Sequence, residues 1–366
     1  MTATPVEVPR LARLLPKTAH GEVLASRYVL LEIESNSGAV GIGEVTCSPA
    51  WNGEEALETS GLLAGPLRAV LVGADPLSWA DVSTRFDRTI RGRPFLRAAV
   101  EMACLDLASR HLGMPAHTLL GGAYRTRIAT KIVLPARKIE NVRTMAEGLA
   151  GLGIVTVKVK VGLDVDDDVA RVSTVRDVIG SDVKITVDAN EGWSPPQARS
   201  AVDRLSALGV AAVEQPLNRR AWSESAALRR DTGMQLMGDE SIWTRADVIE
   251  AARTGAFDIV SLYPGKCGGL RRTVALSDLA HGLGLGVSYG SNLELGIGAA
   301  AIAHTAAATR HLSSVVPADL IGPLYFESSM VEDAGFVAWD GATVPSGPGL
   351  GVRLDGAALE HYRIPM

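Results

Sequence analysis

The chain has 366 residues, 47% of them apolar and 21% charged, so it can bury a core large enough for two domains or one barrel with an accessory domain. A formal charge of −5 and a pI near 5.9 leave no basic stripe for a nucleic-acid backbone and no polybasic segment for a membrane surface. A small-molecule partner and a cytoplasmic location are expected, since neither a signal-type apolar stretch nor a membrane-spanning apolar run appears.

Residues 24–45 carry Y-V-L-L-E-I-E and A-V-G-I-G-E on either side of S-N-S-G, which predicts a β-hairpin from its alternation and turn residues. Helical spacing follows from about Glu54 to Leu112, notably in R-A-A-V-E-M-A-C-L-D-L-A-S-R, so the opening segment reads as an α+β unit. From about Thr126 short apolar strands alternate with amphipathic helices. The strands are expected to end near Leu134, Lys160, Asp188, Glu214, Gly238, Leu262 and Ser288, with a weaker one over Ser313–Val316. Repeated strand–helix units imply a parallel sheet, and this many imply a closed α/β barrel. No G-x-G-x-x-G or G-K-[ST] follows a strand, which counts against a dinucleotide or P-loop site. The final segment returns to strand and turn signals and is expected to pack back on the first domain. Cys47, Cys104 and Cys267 lie far apart and read as buried free thiols.

Within the barrel pattern, Ile154–Gly162 reads I-V-T-V-K-V-K-V-G. Side chains two apart on a strand share a face, so Lys158 and Lys160 point the same way. Either the strand is an edge with solvated lysines, or one lysine is a base whose pKa is lowered by burial and its like-charged neighbour. Downstream, I-T-V-D-A-N, A-A-V-E-Q-P and Q-L-M-G-D-E-S place Asp188, Glu214 and Asp239 at successive strand ends, one strand–helix unit apart. A barrel delivers such residues to its C-terminal rim. Converging carboxylates repel unless a cation joins them, and oxygen donors favour Mg²⁺ over Zn²⁺; the alternative is three unrelated helix-capping acids.

These stretches, with G-I-G-E at 41–44, L-L-G-G at 119–122 and G-S-N-L-E at 290–294, resemble the enolase superfamily and its muconate lactonizing subgroup over nearly the whole chain. The resemblance implies a modified TIM barrel, (β/α)7β, at 123–322, an N-terminal α+β capping domain at 1–122, and a segment at 323–366 packing back on the cap. It implies Mg²⁺ held by Asp188, Glu214 and Asp239, Lys160 as base, and Lys158 as its electrostatic neighbour and carboxylate contact. Asn190, Glu240 and Glu294 would orient these groups, and a homo-oligomer is expected. The chemistry agrees: removing a proton α to a carboxylate builds an enediolate whose charge a metal stabilises.

The pattern departs at the sixth strand, D-I-V-S-L-Y-P-G-K-C-G-G-L, where Tyr263 stands in place of a second catalytic lysine. Lys266 follows beyond Pro264 and reads more readily as a loop lysine than as a displaced base. Two-base racemisation or epimerisation is thereby disfavoured. The seventh strand end, V-S-Y-G-S, has no histidine, and the eighth, S-V-V-P-A-D-L, lacks D-x-D. Tyr263 and Tyr289 are expected at the mouth, as hydrogen-bond donors or as lining, and Trp51 and Asn52 in a substrate-contacting cap loop. The leading expectation is muconate-type cycloisomerisation of a small carboxylate. A one-base dehydratase of a hydroxy acid or hydroxylated imino acid is the alternative, followed by a carboxylate-binding barrel that has lost catalysis.

Overall fold

The computed structural model describes residues 1–11, 17–18, 21–22 and 24–365. Its first sheet runs β1 (Thr2–Pro9), β2 (Ala25–Glu34), β3 (Val40–Cys47), all antiparallel and in that order. The expected hairpin is β2–β3. Strand β1 was not legible, because Pro5 and Pro9 supply no backbone donor; at the sheet edge, one side of the strand needs none.

Helix α1 (Pro94–His111) crosses this sheet at unusually close range. A Cβ on Gly41 would lie 2.2 Å from the Ala103 carbonyl oxygen, and one on Gly43 would lie 2.2 Å from that of Ala99. The glycines of G-I-G-E and the small residues of R-A-A-V-E-M-A-C are therefore two halves of one contact. Asp106, in the same helix, accepts from the Ile42 amide at 3.0 Å and the Leu350 amide at 2.6 Å, tying α1 to the sheet and to the C-terminal segment.

The barrel strands are β4 (Ile132–Leu134), β5 (Thr156–Lys160), β6 (Lys184–Asp188), β7 (Val210–Glu214), β8 (Leu236–Gly238), β9 (Ile259–Leu262) and β10 (Gly286–Tyr289). They form one seven-stranded parallel sheet in sequence order. Helices α2 (Ile139–Leu149), α3 (Val165–Ile179), α4 (Pro195–Ala207), α5 (Trp222–Thr232), α6 (Arg245–Thr254), α7 (Leu270–Gly282) and α8 (Gly296–Ala308) follow the strands in turn. Ser313–Val316, expected as a weak eighth strand, is irregular, and residues 313–319 close the ring through single contacts. Ser313 donates to the Val287 carbonyl at 2.7 Å, Asp319 donates to that of Tyr289 at 2.8 Å, and Ala318 bridges Thr130. Pro317 removes a ladder donor, which keeps this stretch irregular.

Alternation sets the layers. Val157, Val159, Ile185, Val187, Val213, Val260 and Leu262 face the helices, whereas Ala212, Met237, Ile259 and Val316 form a small apolar floor inside the barrel. Above that floor the inward positions are polar. The C-terminal segment bridges β1 at Val6–Arg363 and Arg10–Phe326, and its hairpin, Val337–Ala338 with Gly341–Thr343, pairs with residues 127–128. His117, which follows α1, stacks on His304 of α8, with their Nδ1 atoms 3.0 Å apart. Among the described residues no helix is long and apolar enough to cross a membrane, and Cys47, Cys104 and Cys267 are buried free thiols.

Two outcomes follow from this packing. Gly43→Ala should lower stability by about 1–3 kcal/mol through overpacking against Ala99, read as a lower urea midpoint; an unchanged midpoint would contradict the close contact. Burial lowers the His304 pKa to about 4 and that of His117 more mildly, so the folded state resists protonation that the unfolded chain accepts. Stability linked to His304 is present above pH 6.5 and is lost as pH falls toward 4, by up to about 3 kcal/mol. His304→Gln should flatten that pH dependence in urea unfolding.

Candidate active site

Strand β5 lies between β4 and β6, so Lys158 and Lys160 are not edge lysines and both point into the barrel. The Lys158 ammonium meets Asp319 at 2.6 Å, Glu214 at 3.0 Å and Asp188 at 3.3 Å. Two of its N–H donors go to hydrogen bonds with Asp319 and Glu214, and Asp188 adds a third ion pair. Burial pulls the Lys158 pKa down, but Asp319, Glu214 and Asp188 outweigh it and leave the pKa well above the usual lysine range. Of the pair from which one lysine was expected to have a lowered pKa, Lys158 is not that one: it sits among more acids than bases.

Lys160 donates to Asp188 at 2.6 Å and to the Asn190 side-chain oxygen at 2.9 Å, leaving one donor over. Its side chain is 13% exposed against 4% for Lys158, because it stands one strand step nearer the rim. Asn190 in turn donates to Glu240 at 2.9 Å. A chain of polar contacts therefore holds the Lys160 amine from the next strand.

Asp188 and Glu214 end β6 and β7, Asp239 directly follows β8, and all three line one cavity of about 160 Å³ together with Lys158 and Lys160. Burial would raise Asp188, yet Lys160 and Lys158 hold its pKa at about 2. Burial raises Glu214 to about 8, with the charge of Asp188 adding to the effect and Lys158 opposing it. An acid reluctant to ionise beside another acid is one that an added cation would relax. Among the described residues no three His, Cys, Asp or Glu side chains converge as a ready-made metal cage. The reason is local: Asp188 turns to Lys160, Glu214 to Lys158 and Asp239 to Lys266. The donors themselves, all oxygen and all opening on the same cavity, fit a hard cation.

Lys266 is not a loop lysine. Pro264–Cys267 forms a single helical turn that carries Lys266 back inward, where it is 1% exposed. It donates to the Asp239 carboxylate at 2.5 Å, the Asp239 carbonyl at 2.8 Å and the Ser261 carbonyl at 2.9 Å, with the Tyr263 ring 4.8 Å away. With every donor used, it is a fixed counter-charge to Asp239 and does not line the cavity.

Tyr263 is buried between cap and barrel, its ring 6.2 Å from both Trp51 and Phe95. Among the described residues its hydroxyl has no hydrogen-bond partner, and burial, with Asp239 and Glu294 adding, raises its pKa far above that of a free phenol. The expectation that Tyr263 and Tyr289 flank the mouth is corrected for both. Tyr289 shares the outward face of Val287, and its hydroxyl meets Thr309 at 2.7 Å behind the sheet. Alternation along V-S-Y-G would have shown this, since Ser288 and Gly290 take the inward positions.

Trp51 does line the cavity, stacked on Tyr263 and on Trp243 at 5.1 Å. Asn52 does not: its oxygen accepts from the Ser48 and Glu54 amides at 3.2 and 3.0 Å, and its nitrogen donates to the Thr46 carbonyl at 2.9 Å, so it folds its own turn. Glu294 likewise turns to its own loop, accepting from Ser291 and from the Asn292 amide. Cavity residues that sequence reasoning did not find include Arg10, Asp319, Asn292, Ile321 and Tyr325. Asp319 also meets Lys131, fully buried, at 3.1 Å. Both flank the irregular closing segment, where no strand pattern announces which way a side chain points.

Residues 140–358 match the enolase C-terminal domain-like family, and residues 1–121 match the mandelate racemase / muconate lactonizing enzyme N-terminal domain. The chain belongs to the enolase superfamily, in its muconate lactonizing enzyme subgroup. It is 31% identical over 342 residues to the chloromuconate cycloisomerase of Cupriavidus pinatubonensis, covering 91% of this chain and 90% of that one. It is 29% identical to the N-succinyl-L-Arg/Lys racemase of Bacillus cereus, over 92% of this chain and 90% of the racemase. The crystal structure of 2-chloromuconate cycloisomerase from Rhodococcus opacus superposes with a TM-score of 0.94 at 29% identity, covering 100% of this chain and 98% of that one. Enolase-superfamily chemistry of the isomerase or lyase type follows; similarity to both cycloisomerases and a racemase does not select among those reactions.

Lys266→Met should destabilise the fold by about 3–5 kcal/mol in chelator-treated protein, because it strands the Asp239 charge in the interior. Tyr289→Phe should cost only about 1 kcal/mol and leave turnover untouched. A Tyr289→Phe enzyme with altered KM would return that residue to the mouth.

Proposed function

We propose that this enzyme uses Mg²⁺ and Lys160 to transfer a proton at the α-carbon of a small carboxylate, in a reaction nearest to muconate-type cycloisomerisation. The observation that carries the reading is the division of labour between the two cavity lysines. Lys158 is buried among three carboxylates, Asp319, Glu214 and Asp188, whereas Lys160 pairs with one, Asp188, is held by the neutral Asn190 and stands nearer the rim.

Asp188, Glu214 and Asp239 are the residues that would hold Mg²⁺. When bound, the ion supplies positive charge to the substrate carboxylate on which negative charge builds. With Asp188 and Glu214 engaged in holding the cation, the Lys158 ammonium would be free to meet the substrate carboxylate. Lys160 acts as acid or base. In the ring-closing direction a substrate oxygen bonds to one carbon of a carbon–carbon double bond, and the Lys160 ammonium gives its proton to the other, the α-carbon. In reverse the neutral amine takes that proton back as the carbon–oxygen bond breaks. Asn190, held by Glu240, keeps the amine aimed.

Two-base racemisation fits less well. At the sixth strand end Tyr263 is packed under Trp51, and Lys266 spends its donors on Asp239 and Ser261. The cavity of about 160 Å³ suits a compact acid of roughly benzene size better than a long acylated amino acid.

In D₂O with Mg²⁺, Lys160→Ala should lower α-proton exchange on an accepted acid by about 10²-fold or more, as followed by ¹H NMR. Exchange at the wild-type rate would remove Lys160 from the chemistry. Release of water during turnover would assign a dehydratase using the same base.

A further inference from the structure

Among the described residues, Lys158, Lys160 and Lys266 each pair with Asp188, Glu214 or Asp239, whereas Lys131 pairs with none of these acids. Lys131 immediately precedes β4 and shares the inward face of Val133, whose register partner on β5 is Lys158. It therefore enters the barrel one step beneath Lys158, fully buried and without lining the cavity. Its ammonium meets Asp319 at 3.1 Å and donates to the Pro317 carbonyl at 2.8 Å. Burial lowers its pKa against the pull of Asp319, and the Lys158 charge lowers it further.

Closing the barrel does not call for a charge at this place. The backbone already joins β4 to the closing segment: the Lys131 amide donates to the Ala318 carbonyl at 2.9 Å, and the Ala318 amide donates to that of Ala129 at 3.0 Å. The Pro317 carbonyl also accepts from the Ser288 hydroxyl at 3.1 Å. Asp319 has an ammonium without Lys131, since its same Oδ2 takes Lys158 at 2.6 Å. A buried ammonium is costly, and none of these contacts requires one. What Lys131 alone adds is a positive charge held under the cluster of acids. In a poorly screened interior that charge opposes a further cation at Asp188, Glu214 and Asp239, although Lys131 touches none of them.

We infer that Lys131 is a positioning residue for the metal centre: paired with Asp319 beneath the cavity, it restrains the affinity of the strand-end acids for a divalent cation. An ion that the protein neutralises less completely keeps more of its charge for the substrate carboxylate. The inference rests on the reading of Asp188, Glu214 and Asp239 as the metal ligands.

Titration calorimetry with Mg²⁺ alone tests it on the full chain. Lys131→Met and Lys131→Gln both remove the charge, and each should bind Mg²⁺ about tenfold or more tightly than the wild type. Gln keeps a donor for the Pro317 carbonyl, so it serves where Met fails to fold. Lys131→Arg keeps the charge and should stay within about threefold of the wild type. Lys131→Met/Asp319→Asn removes both members of the pair and should also return to within about threefold. Loss of a merely structural clamp would weaken Mg²⁺ binding and would not be restored by deleting Asp319. Unchanged or weaker affinity in Lys131→Gln, or tightening in Lys131→Arg equal to that in Lys131→Gln, overturns the role of Lys131 alone. Failure of the wild type to bind Mg²⁺ overturns it together with the reading of the metal ligands.

Discussion

The buried contact between Lys158 and three carboxylates is the constraint around which the barrel interior is arranged. An isolated ammonium or carboxylate at this depth would cost several kcal/mol, so each is tolerable only because its partners arrive on neighbouring strands at the same height. Strand alternation guarantees the arrival. Lys158 and Lys160 on β5, Asp188 on β6 and Glu214 on β7 occupy inward positions at the C-terminal ends of adjacent strands, while the valines and isoleucines between them pack outward on the helices. The closing segment adds Asp319, and the helical turn after β9 adds Lys266. The interior is therefore compensated: each strand-end carboxylate is paired with an ammonium, Asp188 with Lys160, Glu214 with Lys158 and Asp239 with Lys266.

The cap contributes a different part of the design. Glu44 of β3 reaches the Leu295 and Gly298 amides at the start of α8, at 2.7 and 2.8 Å, and Trp51 lies on Tyr263 above the barrel. The cavity thus has a polar, charge-dense floor from the strand ends and an aromatic and aliphatic wall that includes Trp51, Leu293 and Ile321. Arg10 is the exception on the cap side. Chemistry common to a family can stay in such a floor while the acid accepted is set by a handful of wall positions, which accords with similarity to cycloisomerases and a racemase alike.

Much of this was legible in the sequence because parallel strands in a barrel are short, β-branched and bounded. The predicted ends at Lys160, Asp188, Glu214, Gly238 and Leu262 fall where the strands stop. What stayed hidden lies where period and geometry part company. Pro264 made the direction of Lys266 unreadable, yet a single turn of helix returns it toward the side from which Tyr263 departs. Asp319 follows an irregular, proline-containing stretch with no alternation to read. Asn52 was expected at the substrate because cap loops of the resembled family reach it there, but its side chain bonds within its own turn instead. Arg10 gave no signal at all, since only tertiary structure brings the end of an edge strand to a barrel mouth.

Mg²⁺ titration calorimetry on Glu214→Gln beside the wild type and Asp258→Asn addresses the strand-end acids most directly. Asp258 pairs with Arg229 at the opposite end of β9 and serves as a control. One Mg²⁺ per chain should bind in the wild type and in Asp258→Asn, and binding should be lost or greatly weakened in Glu214→Gln. Undiminished binding in Glu214→Gln would mean that the acids at these strand ends do not hold the ion.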